Sequence, residues 1–227
     1  MRMLLLPGFY GTGELFAPLR SAFTQHFAVE AVRYEDQRSL EDYIGCVEAL
    51  LPERDAILVA ESFSGPIALA LMARNPTRFR CAILSATFAV SPYRVLAALA
   101  RYLPTPILGP SWVSRYVVRQ ACLDATATPA LLSATYEVMR SLSGHRVKTR
   151  FKLLGDVNVR PLLPRVTVPI LYLQAARDRV VSTKLTCELT DALPQVEVQV
   201  IDGPHFLLQT RPHECARAIE AFVSRHI

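Results

Sequence analysis

Residues 57–72 read Ile-Leu-Val-Ala-Glu-Ser-Phe-Ser-Gly-Pro-Ile-Ala-Leu-Ala-Leu-Met. A short apolar run fit for a buried strand passes through Ala60-Glu61-Ser62-Phe63-Ser64-Gly65 into a second apolar run of helical character. A sharp strand-to-helix turn of this kind lifts a serine hydroxyl clear of the backbone. It also aims the first amides of the following helix at the same spot, where a developing oxyanion would sit. The spelling is a variant of Gly-x-Ser-x-Gly: Ala60 and Ser64 occupy the glycine positions, and Gly65 follows one place later. A crowded turn explains why all three are small. A serine that merely caps the next helix would give a similar pattern, so the rest of the chain has to decide.

Working outward, short apolar runs bounded by turn signals predict strands at about 2–6, 28–34, 56–60, 80–85, 169–174 and 197–201. Helical apolar spacing covers 14–25, 39–51, 63–74, 183–193 and 212–225, and the third of these stops at Asn75-Pro76, because a residue before proline avoids the helical region. Alternating strands and helices imply a parallel sheet covered on both faces. With 227 residues, 51% of them apolar, one compact domain can bury a sizeable core. The opening apolar run Met3–Leu6 is too short for a signal sequence or a membrane span. Five cysteines without a C-x-x-C pair indicate neither a disulfide framework nor a zinc site. A cytoplasmic protein without metal or cofactor is expected.

One stretch interrupts the alternation. Residues 88–160 carry Pro92, Pro104, Pro106, Pro110 and Pro129 among helical pieces at 93–102, 111–122 and 129–142. Proline chops such a stretch into short helices. Its place after a strand, before the strand pattern resumes at Val168-Pro169-Ile170, predicts a helical lid over the strand ends, with the core formed by 1–87 and 161–227.

A serine at neutral pH needs a base to take its proton, and the base needs a group to orient it. The strand at 169–174 runs into Ala175-Ala176-Arg177-Asp178-Arg179-Val180-Val181, which sets Asp178 on a loop at a strand's carboxyl end. The strand at 197–201 runs into Asp202-Gly203-Pro204-His205-Phe206, which sets His205 on the next such loop. Asp202 is the rival acid, read as a turn residue beside the histidine. Asp178 also has a rival role as a helix cap, but Ser182 already fits that place.

The order Ser62, Asp178, His205 resembles that of the α/β-hydrolase fold serine hydrolases, and the likeness covers nearly the whole chain. Leu4-Leu5-Leu6-Pro7-Gly8-Phe9-Tyr10-Gly11-Thr12-Gly13 resembles the family's strand and oxyanion loop, with Pro7-Gly8 in place of the usual His-Gly. The resemblance implies a reduced, mostly parallel six-stranded sheet, since two strands that usually precede the first are absent. It also implies oxyanion donors at the backbone N–H of Phe63 and of Phe9 or Tyr10. Tyr10, Phe88 and Trp112 are the candidate pocket and lid residues.

The reaction so implied is hydrolysis of a carboxylic ester with a small to medium acyl chain. Alternatives are an acyl thioesterase and, from a different class, a ligand-binding receptor that keeps the three residues. Residues 88–165 hold eleven Arg and Lys against three acids, a balance of +8 in a chain of net +5. That basic lid suggests an acidic partner such as an acyl carrier protein or coenzyme A, with Arg146, Lys148 and Arg150 as contacts. Nucleic acid fits poorly, because stacking aromatics are not interleaved with the basic residues.

Overall fold

The computed structural model describes residues 2–92, 94, 95, 97, 102 and 111–227. Six strands form one sheet: β1 Arg2–Leu6, β2 Ala28–Ala31, β3 Ala56–Glu61, β4 Phe79–Ser85, β5 Ile170–Ala175 and β6 Val196–Ile201. Their order is β2-β1-β3-β4-β5-β6, and every pairing is parallel. This is an α/β architecture, and it carries the expected strand count.

Alternation along the central strands explains the two cores. Leu4, Leu6, Leu58, Ala60, Leu84 and Tyr172 point to one face, where α2 Leu40–Glu48, α3 Gly65–Arg74 and α7 Thr183–Thr190 pack. Met3, Leu5, Ile57, Val59, Ile83 and Leu173 point to the other, under α1 Ala17–Ala22, α8 Leu207–Thr210 and α9 Pro212–Ser224. Strands buried on both faces must be apolar almost throughout, as residues 56–60 are, with the buried Glu61 closing the strand at its site end. Each large aliphatic side chain so buried contributes roughly 1.5–3 kcal/mol. The edge strand β6 is mostly exposed on both sides.

Local chemistry sets the element ends. Ser39 and Asp42 close a capping box on α2, Pro66 fits the first turn of α3, and Ser182 caps α7. The helix expected over 14–25 is instead a 3-10 turn, Glu14–Phe16, followed by α1. Pro18 is the cause, because it lacks the N–H that would reach back to Glu14. The strand expected to continue to residue 34 ends at Ala31, and Val32 and Tyr34 instead turn their side chains into the core.

Between β4 and β5 lie α4 Trp112–Cys122, α5 Pro129–Ser141 and α6 Gly144–Asp156. The helix expected over 93–102 lies largely outside the described residues. Helix α6 is not announced by the sequence, where its basic, polar surface hides a narrow buried stripe of Val147 and Arg150. Among the described residues no helix is long and apolar enough to cross a membrane. Cys81 and Cys215 are buried, Cys46 and Cys122 half-buried and Cys187 exposed, all as free thiols.

Candidate active site

The turn after β3 is built by steric necessity. Ser62 follows Glu61 with φ at +48°, a left-handed conformation that costs a non-glycine residue on the order of 1–3 kcal/mol. Two contacts on its carbonyl hold it there. The Gly65 N–H donates to the Ser62 carbonyl, closing a 3-10 turn over Ser62–Ser64. The Thr87 hydroxyl donates to the same carbonyl, and Thr87 is itself clamped by Tyr172, whose hydroxyl donates to the Thr87 carbonyl at 2.9 Å and accepts from its N–H at 3.1 Å. At Gly65 a Cβ would fall 1.8 Å from the Thr87 hydroxyl oxygen, so glycine is obligatory there.

Ser64, read from sequence as merely small, has a specific bond. It is completely buried, its hydroxyl donates to the Pro7 carbonyl, and it accepts from the Tyr34 hydroxyl at 2.9 Å. The serine turn is thereby tied to the loop that leaves β1. Glycine at this position would lose the tie.

The strand ends bring the three sequence-predicted residues together. His205 Nε2 lies 2.9 Å from Ser62 Oγ, and His205 Nδ1 lies 2.9 and 3.0 Å from the two carboxylate oxygens of Asp178. Asp178 is fixed in turn, because its Oδ1 accepts the N–H groups of Val180 at 2.7 Å and Val181 at 2.8 Å. The two loops are joined by backbone bonds from Ala176 N–H to the Ile201 carbonyl and from Arg177 N–H to the Gly203 carbonyl. Asp202 sits apart, with its carboxylate exposed and 3.1 Å from Arg177. The arrangement can pass the Ser62 proton to His205 and leave the imidazolium facing a buried carboxylate.

The loop after β1 makes a turn in which Gly11 N–H donates to the Gly8 carbonyl at 3.0 Å. Among the described residues the N–H groups of Phe9 and Tyr10 have no acceptor, which leaves both available to an anion. Gly8 and Ser62 are neighbours: a Cβ built on Gly8 would stand 3.8 Å from the Ser62 Cβ.

A cavity of roughly 200 Å3 opens over Ser62 and His205, with walls that include Phe9, Tyr10, Phe63, Phe88, Phe151, Leu154 and Phe206. Phe9 sits at the centre of an aromatic cluster, with ring centroids 5.0 Å from Phe151, 5.9 Å from Tyr10 and 6.0 Å from Phe63. Of the expected pocket residues, Tyr10 and Phe88 line the cavity. Trp112 does not: it opens α4 with 80% of its surface exposed. Phe151 and Leu154, from the unannounced α6, are pocket residues that sequence pattern missed.

Two further titratable groups line the cavity. Burial pushes the Cys122 thiol far up, aided by the nearby Asp178 and Glu61 charges, which favours the protonated thiol. Burial also raises the Glu61 carboxyl, against partial opposition from Gln209, His205 and the Gly8 backbone. Among the described residues no group of His, Cys, Asp or Glu is placed to hold a metal ion.

Two of the three basic residues expected to meet an acidic carrier are engaged within the chain. Arg146 is paired with Glu35 at 2.7 Å and Asp36 at 3.0 Å, and Arg150 is buried. The acidic Asp124, just past α4, bonds Arg177 and Arg211, each at 2.8 Å, and so fastens the insertion to the acid and histidine loops.

Comparison with known proteins agrees with this fold. A sequence model described as "Alpha/beta hydrolase family" matches residues 3–218. No curated protein matches the sequence. Similar solved structures include the enol-lactonase from Burkholderia xenovorans LB400, at a TM-score of 0.85 and 20% identity over 98% of this chain and 91% of that one. A thermophilic esterase from Thermogutta terrifontis gives 0.81 and 20%, over 100% and 91%. The N-formylmaleamic acid deformylase from Pseudomonas putida S16 gives 0.74 and 17%, over 96% and 91%. At these identities the likeness is one of fold.

Proposed function

Because the chain belongs to the alpha/beta hydrolase family, we propose that it is a serine hydrolase cleaving carboxylic esters of small to medium acyl chains, with Ser62 as nucleophile, His205 as base and Asp178 as the acid that orients it. The observation that carries this reading is the continuous path from Ser62 Oγ through His205 to the Asp178 carboxylate, each step at 2.9 Å, on the floor of an apolar cavity.

His205 takes the Ser62 proton as Ser62 Oγ attacks the ester carbonyl. The N–H groups of Phe63 and of Phe9 or Tyr10 stabilise the oxyanion, and the imidazolium then protonates the leaving alcohol. Water activated by the same histidine releases the acid from the acyl-enzyme. The acyl group lies against Phe9, Phe63 and Phe151, and the insertion over it acts as a lid that keeps bulk water away. Five free thiols suit a cytoplasmic setting.

The reading is tested by turnover of p-nitrophenyl esters from acetate to octanoate, beside simple lactones and thioesters, by the parent protein and by Ser62→Ala. Ester turnover that peaks at short to medium chains and vanishes in Ser62→Ala is expected. No turnover by the parent, or equal turnover by both, overturns it.

A further inference from the structure

Arg150 is 1% exposed, and among the described residues no carboxylate is paired with it. Burying an unpaired guanidinium is costly unless its donors are filled. Here they are filled by oxygen dipoles: Nη1 donates to the Phe9 carbonyl at 2.7 Å, Nη2 to the Tyr34 carbonyl at 3.1 Å, and Nε to the Tyr43 hydroxyl at 3.3 Å. The helix that carries Arg150, α6, belongs to the insertion, yet the bond to Phe9 reaches into the loop that follows β1.

The position of that bond within the turn matters. Gly8 through Gly11 form one turn, closed by the Gly11 N–H on the Gly8 carbonyl at 3.0 Å, and the Gly11 carbonyl accepts from the Tyr34 N–H at 2.8 Å. The central peptide of the turn, Phe9–Tyr10, is therefore left to Arg150. A trans peptide holds its C=O and N–H in opposite directions, so fixing the Phe9 carbonyl fixes where the Tyr10 N–H points and limits the backbone rotation that aims the Phe9 N–H. Gly11 completes the fit, at φ +69°, where a Cβ would lie 2.4 Å from Nη2.

We propose that Arg150 is a positioning residue for oxyanion stabilisation, by which the insertion helix α6 holds the Gly8–Gly11 turn in its catalytic orientation. This rests on the reading of Ser62 as an acyl-transfer nucleophile. Lysine cannot replace it, because one ammonium lacks the planar fork that spans the Phe9 and Tyr34 carbonyls together.

The test compares the parent with Arg150→Lys, Arg150→Ala and, as a control from the same helix, the exposed Lys152→Gln. On the best p-nitrophenyl ester, Arg150→Lys is expected to lose kcat by on the order of 10- to 100-fold, less than the 10²–10³ of deleting an oxyanion donor, with KM unchanged. Affinity for a trifluoromethyl ketone, which forms a tetrahedral adduct on the serine, is expected to weaken in step, while affinity for the matching alcohol stays constant. Added guanidinium is expected to restore part of the activity of Arg150→Ala, and Lys152→Gln to behave as the parent.

A folded Arg150→Lys with parental kcat overturns the proposal, and so does a loss shared equally by kcat, alcohol affinity and thermal stability, which marks a structural role only. If the parent forms no adduct with the ketone, the nucleophile reading itself has failed.

Discussion

Replacing Ser64 by alanine tests how the serine turn is tied to the loop beside it, and the structure sets the size of the effect. The chain of bonds runs from the Tyr34 hydroxyl to Ser64 Oγ and on to the Pro7 carbonyl. Burial pushes the Tyr34 phenol far up, so it stays a donor. Ser64→Ala orphans two buried groups, the Pro7 carbonyl and the Tyr34 hydroxyl. At about 1–3 kcal/mol for each unsatisfied group, the loss is roughly 2–6 kcal/mol. Tyr34→Phe leaves the Ser64–Pro7 bond intact and costs about 0.5–1.5 kcal/mol from the lost bond. The double variant orphans only the Pro7 carbonyl, so it should be about 1 kcal/mol more stable than Ser64→Ala alone. Urea unfolding of the four proteins measures this, and in a domain of this size 1 kcal/mol also moves Tm by about 2–4 °C. A double variant destabilised by the sum of the two singles would refute the reasoning. Ser64→Gly, which restores the commoner spelling of the motif, should destabilise much as alanine does.

Asp178→Asn should lower kcat by on the order of 10⁴ with little change in Tm, because the amide oxygen can keep the bonds from Val180 and Val181 while an N–H donor replaces Oδ2 against His205 Nδ1 and favours the wrong tautomer. Asp202→Asn should be mild, and the reverse pattern in steady-state kinetics would reassign the acid. Glu61 predicts a pH effect on stability. Its folded carboxyl is raised, chiefly by burial, so its contribution is fully present below the ordinary glutamate value of about 4.3 and is lost as pH rises through the folded one. Glu61→Gln should therefore gain stability over the parent progressively from pH 4 to pH 8 in thermal melts, and a constant difference across that range would count against the buried carboxyl.

The sequence made the sheet legible because both faces of the central strands are covered, which forces runs such as Ile57–Ala60 to be apolar throughout. The candidate site was legible where function needs a chemical type on a loop: Ser62, Asp178 and His205 each follow a strand and meet as their order implied. What stayed hidden depends on three-dimensional contact. Ser64 looked like a space-filling choice, and only the approach of Pro7 and Tyr34 shows why a hydroxyl is needed. Arg150 reads from sequence as one of several basic contacts for an acidic partner, and nothing local distinguishes it from Lys148 or Lys152. Trp112 is by sequence a candidate pocket or lid residue, and the exposed first position of α4 keeps it out of the cavity lining. Apolar spacing alone predicts one helix over 14–25, and it carries no trace of the break that Pro18 imposes on the first turn.

Mass spectrometry after exposure to an alkyl fluorophosphonate tests the assignment of Ser62 as a base-activated nucleophile most directly. The account predicts one phosphonyl group per chain, carried on the peptide containing Ser62, absent in Ser62→Ala and formed far more slowly in His205→Ala. A label on another residue, or labelling undiminished in either variant, would contradict it.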